Sequence, residues 1–77
     1  MGKSQMGIED LEKRFGAIAI DKGYITLEQL MEAMNMQIKE DVEEGQHRLI
    51  GTILFEHGLI TILQIDDVLK TMGKGLD

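Results

Sequence analysis

The stretch IDKGYIT at residues 20–26 is repeated with small changes as FEHGLIT at residues 55–61. Both copies end in glycine, one large apolar or aromatic residue, isoleucine and threonine. Glycine commonly ends a helix in the left-handed conformation. The threonine is followed three residues later by a glutamine, which is the pattern of a capping box at a helix start. Each stretch therefore predicts a hinge between two helices.

The similarity extends well beyond the two hinges. At an offset of 35, residues 16–37 and 51–72 share six identities: Gly16/Gly51, Ile18/Ile53, Gly23/Gly58, Ile25/Ile60, Thr26/Thr61 and Gln29/Gln64. One hairpin cannot bury its own apolar face, whereas two stacked hairpins can. We therefore expect an internal duplication: an all-α fold of about four helices, arranged as two pseudo-repeated helix-turn-helix hairpins packed on one small core.

Apolar spacing predicts the individual helices. The first runs from Ile8 to Gly23, and the second from Thr26 to Gly45. The third is expected over about 48–57, and the fourth ends at Gly73 and Gly75. The expected apolar side of the second helix is Leu27, Leu30, Met31, Met34, Ile38 and Val42, and that of the third is Leu49, Ile50, Ile53 and Leu54.

These helices define one domain. We expect a single helical domain over residues 8–72, with repeat one at about 14–37 and repeat two at about 49–72. The flanking segments 1–7 and 73–77 are expected to be flexible, since they are rich in glycine and lack periodicity.

Composition excludes several classes of protein. The chain of 77 residues has no cysteine, which removes disulfides and thiolate metal sites. Its net charge of −6 argues against DNA or RNA as a partner. No apolar run approaches the roughly 18 residues of a membrane span, so we expect no membrane insertion and a cytoplasmic location.

Chemistry-bearing residues are sparse. His47 and His57 lack a convincing third metal ligand, and His57 is expected to cap the end of the third helix. No serine, cysteine or pair of carboxylates is arranged with a histidine in a way that indicates catalysis. We therefore expect neither enzyme activity, nor a metal, nor a cofactor.

Two glycines interrupt helical patterns and leave two explanations open. Gly16 follows KRF and Gly51 follows RLI. A glycine inside a helix costs about 1 kcal/mol relative to alanine, so a compensating role is expected. One explanation is a close contact between helices. The other is that the bare backbone allows a flat ligand to lie against it beside an arginine.

Residues 14–37 resemble the repeated motif in the N-terminal domain of type II secretion and type IV pilus assembly ATPases. The matching positions are Arg14, Phe15, Gly16, Ala19, Ile20, Gly23, Leu30, Met34 and Gln37. In that family the motif occurs in tandem, and some members bind cyclic di-GMP through both copies. The resemblance implies a non-catalytic regulatory or docking module, with cyclic di-GMP as a candidate ligand and a protein partner in a secretion or pilus machine.

The second copy departs from the motif at two positions. Leu49 stands where the arginine belongs and Met72 where the glutamine belongs, while Arg48 lies one residue early. On a helix that shift rotates the side chain by roughly 100°. The resemblance implies that a nucleotide would be bound by Arg14, Phe15, Gly16, Gly23, Gln37, Arg48, Leu49, Gly51 and Gly58.

The alternative is a pure protein–protein interaction domain whose groove binds a partner helix through methionine and leucine side chains. The two hypotheses differ in what they expose. A nucleotide module should present Arg14 beside Gly16, with Gln37 on the same face. An interaction module should present an exposed apolar patch instead.

Overall fold

The computed structural model describes residues 8–76 and shows four α-helices and no strand in that part of the chain. The helices are α1 (Ile8–Asp21), α2 (Leu27–Glu44), α3 (Ile50–Glu56) and α4 (Ile62–Leu76). The predicted all-α class with about four helices is confirmed. The predicted flexible segment 1–7 lies outside the described residues.

Both predicted capping boxes are present. At the start of α2, the amide of Gln29 donates to the Thr26 hydroxyl over 3.1 Å, and the amide of Thr26 donates to the Gln29 side-chain oxygen over 2.9 Å. At the start of α4, Thr61 and Gln64 make the same two hydrogen bonds, at 3.0 and 3.1 Å. Each threonine–glutamine pair thus satisfies two amides that the helix start leaves free.

The preceding turns are also built alike. Gly23 has φ 81° and Gly58 has φ 73°, so both adopt the left-handed conformation expected of them. The amide of Tyr24 donates to the Ala19 carbonyl, and at the equivalent place the amide of Leu59 donates to the Leu54 carbonyl, each over 2.9 Å.

One apolar core joins the four helices, with α1 packed on α3 and α4, and α2 packed on α3. Exchanging the two halves of the chain leaves this pattern of contacts unchanged. The duplication that would explain the pattern stays a prediction. The buried core residues are Phe15, Ala19, Ile25, Leu30, Ala33, Ile50, Ile53, Leu54, Ile60 and Val68.

Two helix boundaries differ from the predictions. Helix α3 begins at Ile50, and Leu49, expected on its buried side, precedes the helix in extended backbone and is half exposed. The amide of Ile50 is held there by the Glu12 carboxylate. Helix α4 continues through Gly73, which is not left-handed, and ends at Leu76.

The apolar side predicted for α2 is confirmed at Leu30, which is buried, and at Met34, which packs partly buried against the core, but it is wrong at the other four positions. The buried residues are Leu30, Ala33 and Gln37, whereas Leu27, Met31, Ile38 and Val42 are exposed. Around the helix axis, the mean directions of these two sets of side chains differ by roughly 100°. Leu30 fixes which set packs inward, because it lies against Gly16 of α1.

Candidate functional site

An apolar groove lies between α1, α3 and α4. It has a volume of about 370 Å³ and opens to the protein surface. Residues of all three helices and of the segment before α3 form its walls: Leu11, Glu12, Phe15, Leu49, Gly51, Thr52, Ile65, Leu69 and Met72. Only Glu12 and Thr52 among these carry a polar side chain.

Large apolar side chains at the groove are open to solvent. Phe15 is buried, but Leu49 is 50% exposed and Leu69 is 51% exposed. Each contributes apolar surface whose removal from water is worth about 25 cal/mol per Å². The groove can therefore gain free energy by binding an apolar segment.

Both departures from the family motif line this groove. Leu49 and Met72, which stand where the predicted motif has an arginine and a glutamine, are among its lining residues. Their equivalents in the first half are Arg14 and Gln37. The groove thus lies where the second half carries apolar residues at positions that are polar in the first half.

In the first half of the chain, the position equivalent to the groove is filled by a contact between two helices. Leu30, the equivalent of Ile65, lies so close to Gly16 that a Cβ there would be 2.6 Å from a Leu30 methyl carbon. Of the two explanations for Gly16, close packing between helices is the one observed. Gly51 is similar but looser, since its Cβ would be 3.2 Å from the Phe15 ring.

Gln37 belongs to a buried polar cluster, not to an exposed face. Its amide nitrogen donates to the Glu12 carboxylate over 2.6 Å and to the Arg48 carbonyl over 2.8 Å. The second Glu12 oxygen accepts from the amide of Ile50 over 3.0 Å. Glu12 and Gln37 are each only 8% exposed. The amide hydrogens of the Gln37 side chain therefore form hydrogen bonds within the protein.

Arg48 is also bonded within the chain. Its guanidinium donates two hydrogen bonds to Glu40, over 3.0 and 2.7 Å, and contacts Glu56. The Arg48 hydrogen bond is the main reason that the pKa of Glu40 lies below its ordinary value. Arg48 itself has a raised pKa, caused first by Glu40 and then by Glu56. Arg48, in the segment between the two helices, thus links Glu40 of α2 to Glu56 of α3.

The remaining predicted residues are dispersed. Arg14 is partly buried and forms no hydrogen bond or ion pair with another described residue, and it does not line the groove. Gly23 and Gly58 lie in the two turns. The groove brings together Phe15, Leu49 and Gly51, and Gln37 contacts Arg48 in the buried polar cluster. Cyclic di-GMP binding by the full set of nine residues stays a prediction.

Most of the groove residues were not predicted from the sequence. Nothing in the sequence placed Leu69 and Met72 of α4 beside Leu11 of α1. Glu12 gave no signal, because its partners Gln37 and Ile50 lie 25 and 38 residues away.

Two further findings concern metals and membranes. Among the side chains that the structure describes, no three histidines, aspartates or glutamates are grouped so as to hold a metal ion. No helix in the range 8–76 combines the length and apolar character needed to cross a membrane.

His57 is the C-cap residue of α3, as its position in the sequence predicted.

Comparisons with protein-family models, with curated proteins and with solved structures give no match for this chain. The resemblance to the ATPase N-terminal domain therefore depends on the motif residues alone and stays a prediction.

Proposed function

We propose that this chain is a non-catalytic docking module that binds an amphipathic helix of a partner protein in the groove between α1, α3 and α4. One observation carries the proposal. The two residues that replace the polar motif positions, Leu49 and Met72, both line the groove. The second half therefore offers a partner apolar contact where the motif offers charge and hydrogen bonds.

The shape of the groove suits such a partner. Its volume of about 370 Å³ lies within the range of sites that take ligands or anchor side chains. A helix that docks in a groove inserts apolar anchors spaced three and four residues apart. Leu49 before α3 and Leu69 on α4 are exposed on two different segments of its wall, where they can contact such anchors.

Charge favours basic flanks on the partner helix. The chain carries a net charge of −6, and the one acidic side chain in the groove, Glu12, is already hydrogen-bonded to Gln37 and Ile50. Attraction would therefore act around the groove, where lysines or arginines flanking the apolar anchors increase the rate of association.

A designed peptide tests this proposal. The probe is a helical peptide with leucines at positions spaced three and four apart and lysines elsewhere, and its affinity is measured by calorimetry. The double variant Leu49→Arg/Met72→Gln restores the polar motif residues and should weaken binding by roughly tenfold or more. Leu63→Glu is the control, since Leu63 is 80% exposed and lies outside the groove. Equal affinity of the double variant and the wild type would contradict the proposal.

A second candidate is regulation by cyclic di-GMP in a secretion or pilus machine. It is favoured by Arg14, which has no ion pair with a described residue and directly precedes Phe15 in the groove wall. The arginine could bind a guanine edge or a phosphate. Titration of cyclic di-GMP should then shift amide resonances near Phe15 and Gly51, and Arg14→Ala should remove those shifts. An unchanged spectrum at millimolar ligand would exclude this candidate.

A further inference from the structure

A second apolar surface runs along α2, outside the groove. It consists of five residues, which we call the α2 stripe: Leu27, Met31, Met34, Ile38 and Val42. Four of them are between 54% and 78% exposed, and Met34 is partly buried. The stripe spans fifteen residue steps of helix, which is about 22 Å. Such a continuous apolar row on a small protein indicates a binding surface.

We propose that the α2 stripe pairs with the α2 stripe of a second copy of this chain, with the two helices antiparallel. The first four residues of the stripe are spaced four, three and four apart, which is the spacing of a coiled-coil seam. In a register centred between Met34 and Asn35, Leu27 lies opposite Val42 of the second copy. Met31 then lies opposite Ile38 of the second copy. The stripe is thus complementary to itself.

Charge on the edge of the stripe specifies this orientation. Lys39 is the one basic residue of α2, and helical spacing places it on the same edge as Glu28 and Glu32. In the antiparallel register, Lys39 lies opposite position 30 of the second copy, between the second copy's Glu28 and Glu32. Two equivalent sets of ion pairs result. A parallel pair would instead set this edge against the opposite edge of the second copy's stripe, so that Lys39 would lose Glu28 and Glu32 as partners.

The acidic end of α2 supports the same arrangement. Glu40, Asp41, Glu43 and Glu44 lie in the last turns of the helix, where its dipole disfavours negative charge. In the antiparallel pair, this end lies beside the N-terminal end of α2 in the second copy, where the dipole is positive. The parallel alternative would bring eight acidic side chains together. The interface is therefore a two-fold symmetric one.

Sedimentation equilibrium of the full chain, from micromolar to millimolar concentration, tests the pairing. The wild type should dimerise within this range, and Ile38→Glu should be monomeric throughout it. Lys39→Glu should weaken the dimer by about tenfold, whereas Lys70→Glu makes the same charge change on α4 and should not. Leu63→Glu is the apolar control. A monomeric wild type at millimolar concentration, or equal effects of Ile38→Glu and Leu63→Glu, would overturn the proposal.

Spin labels test the orientation separately. The chain has no cysteine, so an introduced one is the single labelling site. In the antiparallel pair, labels on Asn35→Cys lie almost side by side, and labels on Glu43→Cys lie about 25 Å apart along the helices. A parallel pair gives nearly equal distances at the two positions, and that result would overturn the proposed arrangement.

Discussion

The carboxylate of Glu12, in the middle of α1, accepts a hydrogen bond from the amide of Ile50, the first residue of α3, over 3.0 Å. Its other oxygen accepts from Gln37 of α2 over 2.6 Å. Three helices thus meet at one buried carboxylate. Helix α3 has only seven residues, and Leu49 gives it no side-chain cap. The start of α3, and with it one wall of the groove, is therefore fixed by a residue far away in the sequence.

Removing this carboxylate should destabilise the fold. We expect Glu12→Ala to lower the free energy of unfolding by about 1–3 kcal/mol, because the Ile50 amide and the Gln37 side chain lose a buried acceptor. Urea denaturation measures the change. Glu43→Ala, at an exposed acid of α2, is the control and should change stability by no more than about 0.5 kcal/mol. Equal free energies of unfolding for the two variants would mean that the Glu12 cluster contributes nothing to the stability of the fold.

Alanine should have opposite effects at two helical glycines. A Cβ on Gly73 meets nothing within 4 Å, so Gly73→Ala should raise the free energy of unfolding by about 0.5–1 kcal/mol through helix propensity. A Cβ on Gly16 would lie 2.6 and 2.7 Å from the two methyl carbons of buried Leu30. We expect Gly16→Ala to lower the free energy of unfolding, because Leu30 must leave its place in the core. Thermal unfolding distinguishes the two, and stabilisation at both positions would show that Leu30 adapts freely.

The two hinge glycines should respond alike to alanine. Gly23 and Gly58 are left-handed, and a Cβ on either meets nothing within 4 Å. Gly23→Ala and Gly58→Ala should therefore each cost about 1–2 kcal/mol through backbone strain alone. The asparagine variants should cost less, since asparagine tolerates this conformation better. Denaturant titration of all four variants gives the comparison. A large difference between the two alanine variants would show that the hinges are not equivalent.

The contact between Tyr24 and Asp67 should make stability depend on pH. The Tyr24 hydroxyl donates to the Asp67 carboxylate over 2.5 Å, and Lys22 lies 3.2 Å from the same carboxylate. Tyr24, and then Lys22, lower the pKa of Asp67, and the hydrogen bond to Asp67 raises the pKa of Tyr24. The contact therefore contributes its full stabilisation between the pKa values that Asp67 and Tyr24 have in the unfolded chain, from about pH 4 to about pH 10.

Tyr24→Phe measures this contribution directly. A lowered carboxyl pKa means that stability is lost as pH falls through the folded value of Asp67. A raised phenol pKa means that stability is lost as pH rises through the folded value of Tyr24. The difference in unfolding free energy between wild type and Tyr24→Phe should thus be largest near neutral pH and shrink on both sides. A difference that stays constant from acid to alkaline pH would contradict this reading.

Local signals in the sequence predicted the features that depend on neighbouring residues. Thr26 and Gln29 make the expected hydrogen bonds because both partners of the capping box lie within one helical turn. Gly23 is left-handed because the end of α1 requires it there. The same holds for the second hinge, and the four-helix architecture follows from these signals.

Features that depend on distant residues were not predictable in the same way. Periodicity identified an apolar stripe on α2, but the packing of Leu30 against Gly16 decided which side of the helix faces inward. Gln37 has the spacing of a ligand-binding residue, yet it is buried against Glu12, 25 residues away. Of the candidate site, Phe15, Leu49 and Gly51 came together in the groove, because they lie where α1 meets the start of α3.

The most direct test of the docking proposal is a map of amide chemical shifts in the wild-type protein as the leucine–lysine peptide is added. We expect shifts concentrated at groove residues such as Leu11, Thr52 and Leu69, with little change at the two hinges. A spectrum that stays unchanged at millimolar peptide, or shifts centred on α2 with none in the groove, would contradict it.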